Sequence, residues 1–216
     1  MTFRTLTAWG VFSFGIFLAL TILVFGNFFS RLDLRTTLTL QSVIPRILDL
    51  PFSLLSLVGS FEAASLMLFL ILLYFLKHRH FIAVFGLVLY VIGHVIEVSG
   101  KLFLLHPSPP FALFRGVGLI EPNIYIHTNY SYPSGHIFRT AYLVILLIFL
   151  INAKVIRLKN SYIFGLLLVF LGLMIVSRIY LAEHWFSDVL GGLALGVSFG
   201  MFTAAFIYFD KKRNVK

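Results

Sequence analysis

Six apolar runs, each near the length needed to cross a bilayer, decide what this chain can fold into. A spanning helix takes ~20 mostly apolar residues, because the hydrocarbon core is ~30 Å thick and a helix rises ~1.5 Å per residue. Ala8–Phe29 carries no charge, and Pro51–Leu76 is interrupted by Glu62 alone. Phe81–Leu105 holds Glu97 and Lys101 near its end. Ser134–Asn152 has Arg139 in its first turns, Asn160–Leu181 has Arg178 in its last, and Asp188–Phe209 is uncharged after its first residue. With 60% hydrophobic and 12% charged residues, the chain is neither an ordinary soluble domain nor a disordered chain nor a coiled coil. The expectation is an all-α integral membrane protein with six transmembrane helices, forming one domain over residues 1–216.

The first run has 22 residues, longer than the ~7–15-residue apolar region of a cleaved signal, and is read as a retained helix. Between the first two spans, Arg31–Leu50 interleaves leucines, valine and isoleucines with polar residues. That pattern predicts an amphipathic interfacial helix. The stretch from His106 to Pro133 holds five of the seven prolines and reads as a structured loop, in which His106 and His127 can reach a headgroup.

The net charge of +9 and the pI of about 10.0 orient such a chain in a membrane rather than recruit nucleic acid. Ten of the 17 Lys and Arg residues fall at Arg4, at 77–79, at 154–159 and at 211–216. The positive-inside rule makes those segments and both termini cytoplasmic, and it turns 30–50 and 106–133 outward. The expected location is the plasma or inner membrane, multi-pass. The absence of cysteine excludes disulfide scaffolds, Cys-ligated zinc, iron–sulfur clusters and thiol nucleophiles.

Helix parity then puts Lys101, Ser134, His136, Arg139, Arg178, His184 and Asp188 at one depth, near the outer face. Ionisable groups at membrane depth are costly and tend to be functional or paired. Lys101, Arg139 and Arg178 are cations. Ser134 and Gly135 stand where a helix begins, and a helix N-terminus offers free N–H groups and a positive dipole end to an anion. Two imidazoles supply a nucleophile and an acid. Asp188, four residues after His184, can fix its tautomer. Together they point to phosphoryl transfer through histidine. A two-His, one-carboxylate metal site on His136, His184 and Asp188 is the rival, disfavoured by cations that repel a metal and welcome an anion. No metal or cofactor is expected. His94, Glu97 and Lys101 share a helix face, where Glu97 pairs with Lys101 and His94 bonds between helices. Gly192, Gly196 and Gly200 form a stripe for close helix packing.

Tyr132-Pro133-Ser134-Gly135-His136 and the run from Ser177-Arg178 through His184 to Asp188 resemble the second and third signatures of the type 2 phosphatidic acid phosphatases. That superfamily joins membrane lipid phosphatases and vanadium haloperoxidases. Its third signature is Ser-Arg, five residues, His, three residues, Asp, and the match is complete. The first signature is Lys, six residues, Arg-Pro. Lys101 and Pro109 fit it, but Ser108 occupies the arginine position. Ser108 can donate a hydrogen bond without charge; Arg139, three residues after His136, is the favoured substitute, Arg115 a second candidate, and no replacement at all the rival reading. The resemblance covers roughly residues 60–209.

The resemblance implies a metal-free lipid phosphatase acting on a lipid phosphate or diphosphate in the outer leaflet. Phosphatidate, phosphatidylglycerol phosphate and polyprenyl diphosphates such as undecaprenyl diphosphate are substrates of that kind. It implies His184 as nucleophile, Asp188 as its orienting group and His136 as acid, with Lys101, Ser134, Gly135 and Arg178 holding the phosphoryl oxygens. The same residues would serve a phosphotransferase with a lipid or sugar acceptor. The complete set of His136, His184 and Asp188 argues against a silent transporter or scaffold.

Overall fold

A computed structural model of the chain describes residues 2–117, 129–153, 155 and 160–214. His127, Lys154, Arg157, Lys159 and Lys216 lie outside them. The described residues form α1 (Phe3–Phe25), α2 (Ser30–Val43), α3 (Asp49–Val58), α4 (Phe61–Lys77), α5 (Phe81–Phe103), α6 (Gly135–Asn152), α7 (Asn160–Tyr180) and α8 (Phe186–Asn214). They contain six stretches long and apolar enough to cross a membrane, as the sequence predicts.

The six are not equivalent. In its most apolar window α6 is 78% buried within the protein and α8 67%, whereas α1, α5 and α7 are between 22% and 28% buried. Helices α6 and α8 therefore form the centre, and α1 and α5 pack mainly on α8. The glycine stripe explains the α6–α8 contact. A β-carbon on Gly192 would lie 2.4 Å from the Ser134 carbonyl oxygen, and one on Gly196 would lie 2.4 Å from that of Phe138. Only a bare backbone fits at that approach. Large apolar side chains of the outer helices, such as Ile22, Phe69, Phe85 and Leu166, remain exposed, as lipid contact requires.

Two elements depart from the expected layout. The second apolar run is not one helix. It breaks at Gly59–Ser60, where Gly59 closes α3 and Ser60 caps α4 by accepting the Ala63 N–H at 3.2 Å. The Gly-Ser pair is a stop followed by an N-cap, a signal that the apolarity of the run masks. The amphipathic segment is helical over Ser30–Val43, ends before Pro45 and continues through a short 3₁₀ turn, Arg46–Leu48, into α3.

The faces of α2 are reversed relative to a soluble helix. Asp33 and Thr37 are buried against the protein, while Leu32, Leu34 and Leu38 are exposed. Asp33 accepts from the Ser187 N–H at 2.8 Å and the Ser187 hydroxyl at 2.9 Å. Gln41 Nε2 donates to the carbonyls of Leu113 and Tyr180 at 2.7 and 2.9 Å. The polar stripe thus satisfies helix ends that apolar surroundings would leave bare.

Candidate functional site

The ends of α5, α6, α7 and α8 converge with α3 on one cluster. Each motif residue reaches it through a local device. Helix α7 ends at Tyr180, and Ala182 takes a left-handed conformation with φ 54°. The chain turns back, so that the N–H groups of Glu183 and His184 both donate to the Arg178 carbonyl, at 3.1 and 3.2 Å. This left-handed reversal carries His184 over Arg178. Asp188 then sits in the first turn of α8, and its Oδ2 accepts the Trp185 N–H at 2.8 Å. An acidic side chain reaching back over a helix start is half of a capping box.

Asp188 is fully buried. Its Oδ2 faces His184 Nδ1 at 3.6 Å, and its Oδ1 accepts from His106 Nδ1 at 3.0 Å. The expected neighbours His184 and Asp188 face one another, but no hydrogen bond joins them, and His184 Nδ1 is buried without a hydrogen-bond partner. The His106 contact is an addition. His106 does not reach outward for a headgroup; it is mostly buried beside Asp188. Burial disfavours its charge, but the hydrogen bond and charge of Asp188 outweigh this and raise its pKa above the ordinary 6.5. Burial raises the Asp33 carboxyl against the opposing bonds from Ser187.

On the other side, Ser134 is the N-cap of α6, just after a cis Tyr132–Pro133 bond. Its N–H donates to the Asp188 carbonyl at 3.0 Å, tying the start of α6 to α8. Its hydroxyl is fully buried and has no hydrogen-bond partner. The Phe138 N–H is the first to bond back to Ser134, leaving the N–H groups of Gly135, His136 and Ile137 outside the helical ladder. A buried hydroxyl without a partner beside three such donors is suited to an anion.

The cations are engaged by the protein itself. Arg178 is fully buried and donates to Ser56 Oγ, to Glu183, to the Phe52 carbonyl at 3.1 Å and to Ser177 Oγ at 3.3 Å. Lys101 Nζ lies 2.5 Å from Glu97 Oε1, as the helix-face spacing predicts. His94 Nδ1 lies 3.0 Å from Glu97 Oε2. His94 is therefore an intrahelical partner of Glu97, stacked between the rings of Phe61 and Tyr90, and not an interhelical bonder. A residue three positions along its own helix is the nearer acceptor.

The two candidate substitutes for the missing arginine part company. Arg139 is buried, donates Nε to the Gly59 carbonyl at 3.2 Å and places Nη1 close beside Gly135. Arg115 lies over the Tyr180 ring, 5.2 Å from its centroid, and bonds the Tyr180 hydroxyl at 3.3 Å. The Ser108 N–H pairs with the Asn129 carbonyl at 3.1 Å.

His136 lies within range of the charges of Arg139, Arg178 and Lys101. Its Nε2 lies 3.4 Å from Ser56 Oγ, the same hydroxyl that meets Arg178. The sequence did not point to Ser56 or Glu183. Ser56 lies 80 residues before His136 in an apolar helix, and its only visible signal is the Gly-Ser break that follows it.

A family model described as the PAP2 superfamily matches residues 80–212. Comparison with curated protein sequences finds no match. Among solved structures, the chain is similar to a transmembrane PAP2-type phosphatidylglycerolphosphate phosphatase from Bacillus subtilis. The TM-score is 0.68 at 20% identity, covering 95% of this chain and 96% of that one. It is also similar to LpxE of Aquifex aeolicus, with a TM-score of 0.57 at 22% identity over 80% of this chain and 94% of that one.

Proposed function

The chain belongs to the PAP2 superfamily, and from that premise we propose that it is a membrane lipid phosphatase working through a phosphohistidine. The observation that carries this is the convergence at the start of α6. A buried, unpartnered Ser134 hydroxyl and three free N–H groups stand beside Lys101, Arg139 and His136, with Asp188 tied to the same turn.

The proposed steps use that geometry. His184 Nδ1 faces Asp188, so Nε2 is the nitrogen free to attack. Its lone pair forms the N–P bond while the P–O bond to the lipid breaks, and the departing oxygen takes a proton from His136. Water then gives a proton to His136 and attacks phosphorus, the N–P bond breaks, and inorganic phosphate leaves with His184 restored. Donors fixed by backbone and by buried side chains stabilise the charge that develops on the phosphoryl oxygens without reorganising. For phosphate to reach Arg178, Glu183 has to yield its place on that guanidinium.

A lipid phosphate is favoured over a soluble one because the cluster lies at the ends of helices long and apolar enough to cross a membrane. The Lys and Arg bias supports an outward-facing site with both termini inside. The experiment is phosphate release by purified protein from a panel of phosphatidate, phosphatidylglycerol phosphate and undecaprenyl diphosphate. Release from at least one is expected. No release from any, with the protein folded, would defeat the proposal.

A further inference from the structure

The carboxylate of Asp188 has partners on both oxygens, and the closer imidazole belongs to a histidine that the phosphoryl-transfer steps do not use. His106 Nδ1 bonds Oδ1 at 3.0 Å, whereas His184 Nδ1 stands 3.6 Å from Oδ2. The His106 ring is held from several sides. Its carbonyl accepts the Ser131 N–H at 3.0 Å, the adjacent Pro107 carbonyl accepts Trp185 Nε1 at 2.8 Å, and Tyr132 meets the ring edge-on at 6.3 Å. Leu105 before it is in the left-handed region with φ 52°, which turns the chain off the end of α5 and toward α8.

An aspartate's terminal torsion is broad and roughly two-fold, so one bond to the Trp185 N–H leaves the carboxylate plane free to swing. A donor on the second oxygen removes that freedom. A buried carboxylate also needs both oxygens satisfied. We propose that His106 is a positioning residue of this phosphatase: it clamps Asp188 so that Oδ2 aims at His184 Nδ1, and it ties the loop after Lys101 to the nucleophile. This rests on the phosphohistidine reading above.

The test is a double-mutant cycle on the best substrate of the panel. His106→Phe keeps a ring and removes the donor. It is expected to lower kcat about 10–100-fold, the scale seen when a group that orients a metal's ligand is lost, with KM changed less than about threefold. His106→Asn, which returns an N–H near the Nδ1 position, is expected to recover most of that loss. In an Asp188→Asn background the His106→Phe change is expected to be under about twofold, because the carboxylate it aims is gone. If the phenyl ring does not fold, His106→Val against His106→Asn is read the same way. A His106→Phe protein with wild-type kcat, or one losing the same factor in both backgrounds, overturns the clamp while leaving the phosphatase reading intact. Wild-type kcat in Asp188→Asn alone would bring down both.

Discussion

Replacing Gly192 with alanine tests whether the α6–α8 contact holds the site. The added methyl would lie 2.4 Å from the Ser134 carbonyl oxygen and 3.2 Å from both Ser134 C and Phe138 N. An ordinary carbon–oxygen contact is about 3.3–3.6 Å, so the two helices must part by about 1 Å. All three atoms are backbone, and none can rotate away. Forcing a methylene into a packed core costs about 1–3 kcal/mol, which lowers the melting midpoint in detergent. The functional loss is larger than that cost suggests. Ser134 is the residue that moves, carrying the open N–H groups of α6 and its own bond to Asp188. A misplacement of ~1 Å at a reacting centre is worth about 10²-fold. The assay is kcat/KM for phosphate release alongside thermal unfolding. Gly200→Ala, whose methyl meets the Ile145 side chain at 3.0 Å, is the mild comparison. Gly172→Ala, with nothing within 4 Å, should be neutral or stabilising by up to ~1 kcal/mol. Wild-type kcat/KM in a folded Gly192→Ala protein would refute the claim that this contact positions the site.

Turnover is expected to survive EDTA and to be inhibited by vanadate, since cations and N–H groups hold the anion. Loss on chelation that zinc restores would contradict this. Ser56→Ala removes a hydroxyl shared by His136 and Arg178. At about 1.5–3 kcal/mol for a hydrogen bond to a charged group, kcat/KM should fall about 10–100-fold with the fold retained by circular dichroism. The raised pKa of His106, set against burial by Asp188 of α8 and Asp33 of α2, makes stability depend on pH. The contribution is complete below the ordinary 6.5 and is lost as pH rises through the higher folded value. Melting midpoints from acid to alkaline pH should show that decline in the wild type and not in His106→Phe.

Much of this arrangement was legible in the sequence because a bilayer leaves few choices. Apolar runs had to be spans, and spans of known parity bring Lys101, Ser134, Arg178 and Asp188 to one end. What the sequence hid depends on loops and breaks. The Gly59–Ser60 break, which turns the Gly59 carbonyl to Arg139, lies inside a run that hydropathy reads as continuous. The His106–Asp188 bond needs the left-handed turn at Leu105, which no spacing rule reports. The inward polar face of α2 follows from the ends of α7 and α8 that it must satisfy, and these are more than 130 residues away. The Glu183–Arg178 contact looks in sequence like an ordinary variable position between two motif residues.

The central claim is that His184 carries the phosphoryl group, and trapping that intermediate tests it most directly. Enzyme mixed with lipid phosphate labelled on phosphorus, quenched rapidly in alkali and digested should yield a phosphohistidine peptide containing residue 184. The label should be absent from His184→Ala and should persist longer in His136→Ala, where water lacks its base. Label that survives in His184→Ala, or turnover without any labelled histidine, would contradict the account.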